Sequence, residues 1–264
     1  MQGYGIQDTG YRKIKGILPL LFYLSTVYCL LSTSLISCTK KQAAAARLPD
    51  IPPRALSEPS SLAYDSQNFY VADWTGNAVL KIDPNGQTDL LKLGRARPIQ
   101  VVAIAKEKLI IETNDGKLHL WQPGTNPKAL AHQFERKPGS SMCWDGIYLW
   151  LTNEGKIFPS FLLGGAELIE MPERSRRSVA FLDQTAGAAV ALSCGQGKFQ
   201  ALIKEENDYA IINNILEPKA MTKTPWSNQT FRPVAMARLG DGRMAVLAQS
   251  EQKTGMFKLF ELPL

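Results

Sequence analysis

The feature that most constrains this chain is a repeat with a spacing near 40 residues. Polar turns carrying a glycine recur at Gly76, Gly116, Gly155 and Gly197, in steps of 40, 39 and 42. They read Trp74-Thr75-Gly76-Asn77, Thr113-Asn114-Asp115-Gly116-Lys117, Thr152-Asn153-Glu154-Gly155-Lys156 and Cys194-Gly195-Gln196-Gly197-Lys198. Asp-Gly and related pairs accept the positive φ of tight hairpins. Around each turn the same order returns: a short apolar run, a polar turn, a run rich in strand formers, the glycine turn, then an alternating run. Five units follow: Pro59–Gly86, Pro98–Gly124, Pro138–Gly165, Arg177–Ile203 and Arg232–Pro263. A further glycine, Gly255, comes 58 residues after Gly197, so residues 217–231 read as an inserted long loop carrying Trp226. Long loops in compact domains are often functional.

The alternation within the units is that of strands. Val79 and Lys81 alternate with Leu80 and Ile82, and Lys117 and His119 with Leu118 and Leu120. Units of this length, each with three or four short strands, stack radially into one repeated sheet architecture. The expected fold class is therefore all-β, a β-propeller of five blades, with six the alternative if residues 204–231 hold a weak one. Residues 50–57 are expected to lend an outer strand to the last blade and close the ring, because an open ring leaves sheet edges bare. The first unit closely resembles an NHL repeat. The residues that carry this are Pro59, Leu62, Tyr70-Val71-Ala72-Asp73, Gly76-Asn77 and Asp83-Pro84-Asn85-Gly86. The other four units lack the Ala-Asp pair.

Residues 1–37 have the layout of a signal peptide. Arg12, Lys13 and Lys15 form a basic flank, and Ile17 to Leu31 form a short apolar run. Leu35-Ile36-Ser37-Cys38 then resembles the lipobox of bacterial lipoproteins. That resemblance implies cleavage before Cys38, a diacylglyceryl thioether on its sulfur and fatty acylation (palmitate) of the new N-terminus. The alternative is an uncleaved anchor from Ile14 to Ser37, which is just long enough to span a bilayer but is weakened by Pro19 and by Ser and Thr. Several acyl chains anchor stably where one would not. Thr39, rather than Asp, follows the cysteine. In a two-membrane bacterium the resemblance then implies passage to the outer membrane, facing periplasm or surface. Residues 39–57 are polar, then Ala-rich, then Pro-rich, and read as a tether. The expected domains are a signal peptide at 1–37, the lipidated cysteine and tether at 38–57, and the propeller at 58–264.

The chain carries a net charge of +6. Loss of residues 1–37 removes three cations and one anion and leaves about +4. No Lys/Arg block is dense enough to track a phosphate backbone, so nucleic acid is not an expected partner. Cys143 and Cys194 lie 51 residues apart without metal-ligand spacing, and His119 and His132 supply none. No cofactor is expected. An exported chain could oxidise the two cysteines to a disulfide, but buried free thiols are the expected state, since free cysteine is commonly a core residue.

In propellers of this type, ligands and partners meet the mouth of the central channel, where the inter-blade turns and the second-to-third-strand turns share one face. The inter-blade turns carry cations: Arg95 and Arg97, Arg136 and Lys137, Arg174, Arg176 and Arg177, and Arg232. Such a rim suits carboxylate, phosphate or an acidic protein surface. The expected ligand or partner face comprises Asp73, Trp74, Arg97, Asn114, Asp115, Arg136, Asn153, Glu154, Arg177 and Arg232. Asp73 has a structural alternative, as an acceptor for turn N–H groups. Trp121, Trp144, Tyr148 and Trp150 are expected to pack between blades.

No catalytic set stands out. There is no GxSxG, and neither histidine lies near a nucleophile motif. Glu58-Pro59 resembles the Glu-Gly-Pro opening of the SMP-30/gluconolactonase family. That resemblance implies a divalent metal at Glu58 and hydrolase activity, although the glycine is missing and no second ligand motif is evident. The leading expectation is a non-catalytic lipoprotein in the cell envelope. Its partners are the membrane, through Cys38, and either an envelope protein or a small anionic ligand.

Overall fold

The computed structural model describes residues 48–132, 141–153, 156–163, 167–170, 177–178, 188–195, 197–206, 208–240 and 242–263. The export segment and Cys38 lie outside them. The residues from Arg47 to Leu264 form one compact unit.

That unit is a five-bladed β-propeller. Blade 1 comprises β1 (Pro59–Tyr64), β2 (Phe69–Asp73), β3 (Ala78–Ile82) and β4 (Thr88–Lys92). Blade 2 comprises β5 (Pro98–Ala105), β6 (Lys108–Thr113), β7 (Leu118–Trp121) and β8 (Lys128–Ala129). A short β9 (Ala131–His132) leaves blade 2 and pairs in parallel with the outer strand of blade 3. Blade 3 comprises β10 (Met142–Trp144), β11 (Leu149–Asn153), β12 (Lys156–Leu163) and β13 (Glu167–Glu170), and β14 (Arg177–Ser178) pairs with β12. Blade 4 comprises β15 (Ala188–Gly195), β16 (Lys198–Glu205), β17 (Asp208–Asn213) and β18 (Thr222–Pro225). Blade 5 comprises β19 (Phe231–Gly240), β20 (Arg243–Ser250) and β21 (Phe257–Pro263). The first strands β1, β5, β10, β15 and β19 touch in that order, and β19 returns to β1, closing the ring around a central channel.

Five apolar clusters fill the five gaps between blades, and strand parity decides which gap each residue fills. In β2, Phe69 and Val71 face blade 5 with Leu80, Ala235, Leu247 and Phe257. Tyr70 and Ala72 face blade 2 with Val101, Leu109 and Ile111. A strand sandwiched between blades is buried on both faces, so β2 is buried at every position and reads as a continuous apolar run. Cys143 and Ile157 meet Leu192, Phe199 and Ala201 between blades 3 and 4. Met236 and Val246 meet Leu202 and Ile211 between blades 4 and 5.

A bulge recurs near the start of the first strand, at Pro59/Ser61, Pro98/Gln100, Ala189/Ala191 and Pro233/Ala235. Three of these begin with proline, which lacks the N–H a regular ladder would use. In the turn after β6, Gly116 takes φ +77. In the turn after β2, Asn77 takes the left-handed conformation at φ +52.

Four expectations need correction. The fourth blade runs from β15 to β18 rather than over 177–203, and Gly197 turns between its first and second strands. Residues 217–231 are not an inserted loop. They hold a 3-10 turn (Pro218–Ala220) and β18, the outer strand of blade 4. All four β18 residues are exposed and polar or proline, so no apolar pattern marks them. Residues 50–57 form no strand. Instead Ile51 and Leu56 pack into the gap between blades 5 and 1, and Arg54 N donates to Gly255 O at 3.1 Å. The ring therefore closes by side-chain packing against these residues, and blade 5 keeps three strands. Finally, Cys143 and Cys194 are bonded as a disulfide, not free thiols. They lie on the first strands of adjacent blades with Cα atoms 5.7 Å apart, within disulfide reach.

Candidate functional site

On the face where the first strands begin, the chain arriving at blades 1, 2 and 5 is tied to the end of that blade's second strand. Trp74 N donates to Glu58 O at 3.1 Å, Asn114 N to Arg97 O at 2.9 Å, and Glu251 N to Thr230 O at 2.9 Å. Side chains reinforce these ties. Asp73 Oδ2 accepts from Ser57 N at 2.8 Å, and its Oδ1 accepts from Glu58 N at 2.8 Å and Gly76 N at 3.2 Å. One blade on, Asn114 Oδ1 accepts from Arg97 N at 3.1 Å. Asp73 and Asn114 are thus equivalent clamps that hold the start of a first strand.

The other expected residues of this face divide between two neighbourhoods. The Arg97 guanidinium lies 5.5 Å from the centre of the Trp74 ring, bridging blades 1 and 2. Asp115 pairs with Lys117 at 2.7 Å and accepts from Thr113 Oγ1 at 2.7 Å. These contacts, Lys117 first, hold its pKa down at about 2. Around the ring, Arg232 Nη2 donates to Gln249 Oε1 at 2.9 Å, and its Nε lies 4.0 Å from Glu251. Asn153 closes β11, and Arg177 opens β14 against the third strand of blade 3 instead of introducing blade 4. Arg136 and Glu154 lie outside the described residues. Glu58 Oε2 accepts from Thr75 Oγ1 at 2.7 Å. Among the described residues, no three His, Cys, Asp or Glu side chains gather where they could hold a metal ion.

The channel is lined by first-strand residues, including Leu62, Val101, Met142, Ala237 and the Cys143–Cys194 disulfide, around a cavity of about 70 Å³. It widens at the opposite face, where the first strands end. There a second cavity of about 330 Å³ touches the ends of all five first strands, with Tyr64, Lys106, Trp144, Gly195 and Arg238 on its wall. This mouth faces away from the cationic inter-blade turns singled out in the sequence.

Two carboxylates at this mouth shape its turns. Asp65 Oδ1 accepts from Gln67 N at 2.9 Å and Asn68 N at 2.7 Å. Its Oδ2 accepts from Tyr70 Oη and Glu107 N, both at 2.8 Å. Burial alone would raise the Asp65 pKa, but these donors together outweigh it and the net shift is downward. Burial, and then the Asp65 charge, push the Tyr70 hydroxyl far up, so it stays a donor. In blade 3, Asp145 Oδ1 accepts from Ile147 N and Tyr148 N at 2.8 Å, and its Oδ2 accepts from Trp150 Nε1 at 2.6 Å. The shared signal is an Asp ending the first strand with a ring donor five residues on, as in Asp65-Ser66-Gln67-Asn68-Phe69-Tyr70 and Asp145-Gly146-Ile147-Tyr148-Leu149-Trp150. The Trp150 ring also meets Phe199 of blade 4 edge-on at 4.8 Å, and Trp226 meets Phe260 at 5.4 Å.

The fold and channel define a β-propeller protein. No known sequence family and no curated protein matches the chain. Solved structures do. Glutaminyl cyclase of Myxococcus xanthus is 15% identical, with 81% of this chain and 94% of that one covered at a TM-score of 0.50. Hydrazine synthase of Kuenenia stuttgartiensis is 11% identical over 80% and 67% of the two chains, at 0.44. Virginiamycin B lyase of Staphylococcus aureus is 13% identical over 82% and 73%, at 0.39. The likeness at 0.50 shows the propeller fold. Propellers carry enzymes and non-enzymes alike, so function has to be argued from the site.

Proposed function

We infer that the chain is an exported lipoprotein, cut before Cys38 and lipidated there. Its propeller binds a protein partner or small anionic ligand in the cell envelope without catalysing a reaction on it. The observation that carries this reading is the use of the polar groups around the channel. Asp65 and Asp145 hold backbone N–H groups of their own turns, and Asp73 and Asn114 hold those of the chain arriving at the first strand of their blade. The narrow bore between the two mouths is walled by the first strands, whose apolar side chains turn into the gaps between blades, and by the disulfide, with no carboxylate among the described residues of its lining. The cations that face outward on the side of the inter-blade turns are Arg97, stacked on Trp74, and Arg232, and they stand among exposed acids such as Asp115 and Glu251. Such arginines suit acidic groups on a partner. The Cys143–Cys194 disulfide supports an oxidising compartment, in keeping with export. The lipobox residues 35–38 support the anchor.

The test has two arms. In a bacterial host, labelled palmitate is incorporated into the full chain, and Cys38→Ser abolishes both incorporation and membrane association. Detergent-solubilised full chain, used as bait in envelope extract, retains a partner that Arg97→Glu with Arg232→Glu releases. Metal-dependent lactone hydrolysis together with failure to retain any partner would overturn the reading in favour of the hydrolase suggested by Glu58-Pro59.

A further inference from the structure

We propose that the channel mouth where the first strands end is a binding site for a small organic carboxylate, with Arg238 receiving its charge. This rests on the reading of the propeller as a binding module and deepens it. It names a ligand class and places it on the face opposite Arg97 and Arg232.

Arg238 stands near the end of β19 and crosses to the neighbouring blade. Its stem lies over Gly195, so closely that a Cβ there would sit 2.9 Å from Arg238 Cδ. Nη1 donates to Gly195 O at 2.8 Å. A guanidinium has five N–H donors, and this is its one hydrogen bond to a described residue. No carboxylate among the described residues pairs with it. Burial alone pulls its pKa down. A cation drawn partly out of water without a counter-charge is unfavourable, and an anion docking on it offsets that cost.

The described carboxylates at this mouth do not serve as that counter-charge. Asp65 and Asp145 direct their oxygens at turn N–H groups and at Tyr70 and Trp150. Lys106 adds a second cation to the rim. The cavity of about 330 Å³ falls at the small end of ligand pockets. Ile104, Trp144 and Leu239 give part of its wall an apolar and aromatic character beside the polar residues. A planar fork matches a carboxylate with two parallel bonds, and the wall calls for a flat apolar body attached to it. Inorganic phosphate would satisfy the charge but leave the wall uncovered.

The probe is benzoate, titrated calorimetrically into the full chain in detergent, with benzyl alcohol and inorganic phosphate alongside. Benzoate is expected to saturate in the millimolar range or below. Benzyl alcohol should not bind, and phosphate should bind at least tenfold more weakly. Arg238→Gln should weaken benzoate at least tenfold with the melting temperature kept, while Lys128→Gln, on an outer strand, should leave it unchanged. If Arg238→Gln does not fold, Arg238→Lys keeps the charge without the fork and should weaken benzoate several-fold. In the unmutated chain, the Arg238 Nε–H and Trp144 indole NMR signals should move on titration. Absence of saturation, or equal affinity in a folded Arg238 variant, or signals at Arg238 and Trp144 that stay in place, would overturn the site. A chain that captures its partner through Arg97 and Arg232 but ignores benzoate loses this site alone. A chain without lipid on Cys38 that hydrolyses lactones loses the reading above, whatever Arg238 binds.

Discussion

Replacing Asp65 by asparagine isolates the carboxylate that shapes the wide mouth. Asp65 is 7% exposed, and four strong donors converge on its two oxygens. An amide keeps one acceptor oxygen. Turned one way it faces its NH2 group toward Tyr70 Oη and Glu107 N; turned the other way, toward Gln67 N and Asn68 N. Either orientation removes two charge-assisted bonds, each contributing about 1.5–3 kcal/mol. The expected loss is about 3–6 kcal/mol. In a domain of this size each kcal/mol moves the melting temperature by about 2–4 °C, so the transition should fall by about 10 °C. Circular dichroism of full chain in detergent at pH 7 reads it. The pH dependence follows from the downward shift of the Asp65 pKa. Its contribution is complete above the unfolded-state value of about 3.9 and is lost as pH falls through the lower folded-state value. Asp65→Asn should therefore flatten the acid limb of the stability curve while lowering its neutral plateau. A double-mutant cycle of Asp65→Ala with Tyr70→Phe should show strong coupling, because both changes break the same 2.8 Å bond. A loss below about 1 kcal/mol, or additive effects in the cycle, would refute the assignment of Asp65 as the organiser of this turn.

Three further outcomes follow from the same geometry. Cys143→Ser with Cys194→Ser opens a link across 51 residues. Loop-closure entropy then predicts a loss of about 4 kcal/mol, read as a lower urea midpoint that matches wild type under reductant. Gly76→Ala places a Cβ 2.5 Å from Asp73 Oδ2, displacing the carboxylate from Ser57 N and Glu58 N. The expected cost is about 2–3 kcal/mol, with faster amide exchange at those two residues. Trp150→Phe keeps a ring against Phe199 but deletes the donor to Asp145. It should cost about 2 kcal/mol, and Asp145→Asn added to it should cost little more.

The propeller was legible because its turns are chemically constrained. Asn77 and Gly116 occupy positions that need positive φ, and polar turn residues cannot hide in an apolar repeat. Blade 4 was misplaced for the converse reason. Its outer strand β18, Thr-Lys-Thr-Pro, is exposed at every position and is held by its backbone pairing with β17 and by the Lys223–Glu205 ion pair, so no apolar pattern betrays it. Residues 50–57 misled in another way. A Pro-rich stretch looked free to extend along an edge, whereas Ile51 and Leu56 bury themselves between blades 5 and 1. The disulfide was underestimated because sequence distance says nothing about ring adjacency. Positions 143 and 194 become neighbours only once blades 3 and 4 are placed side by side.

The two mouths of the channel differ in a way that residue type foreshadows and position decides. A propeller turn needs an acceptor for its own N–H groups, and Asp or Asn at a strand end supplies it. Asp65 and Asp145 do so at the wide mouth, and at the other end Asp73 and Asn114 accept from the chain arriving at the first strand. These four residues are therefore committed to the scaffold, and what remains to meet a partner is the arginines together with exposed acids such as Asp115 and Glu251. On the face with the inter-blade turns, Arg97 and Arg232 already have neighbours in Trp74, Gln249 and Glu251. Among the described residues, Arg238 has one carbonyl and an open cavity. Nothing in the run Ala235-Met236-Ala237-Arg238 marks it out, because an arginine in an apolar alternation reads as a solvated strand end. Gly195 on the next blade, 43 residues earlier, is what lets its stem lie flat and turns an ordinary surface cation into one held at the channel mouth.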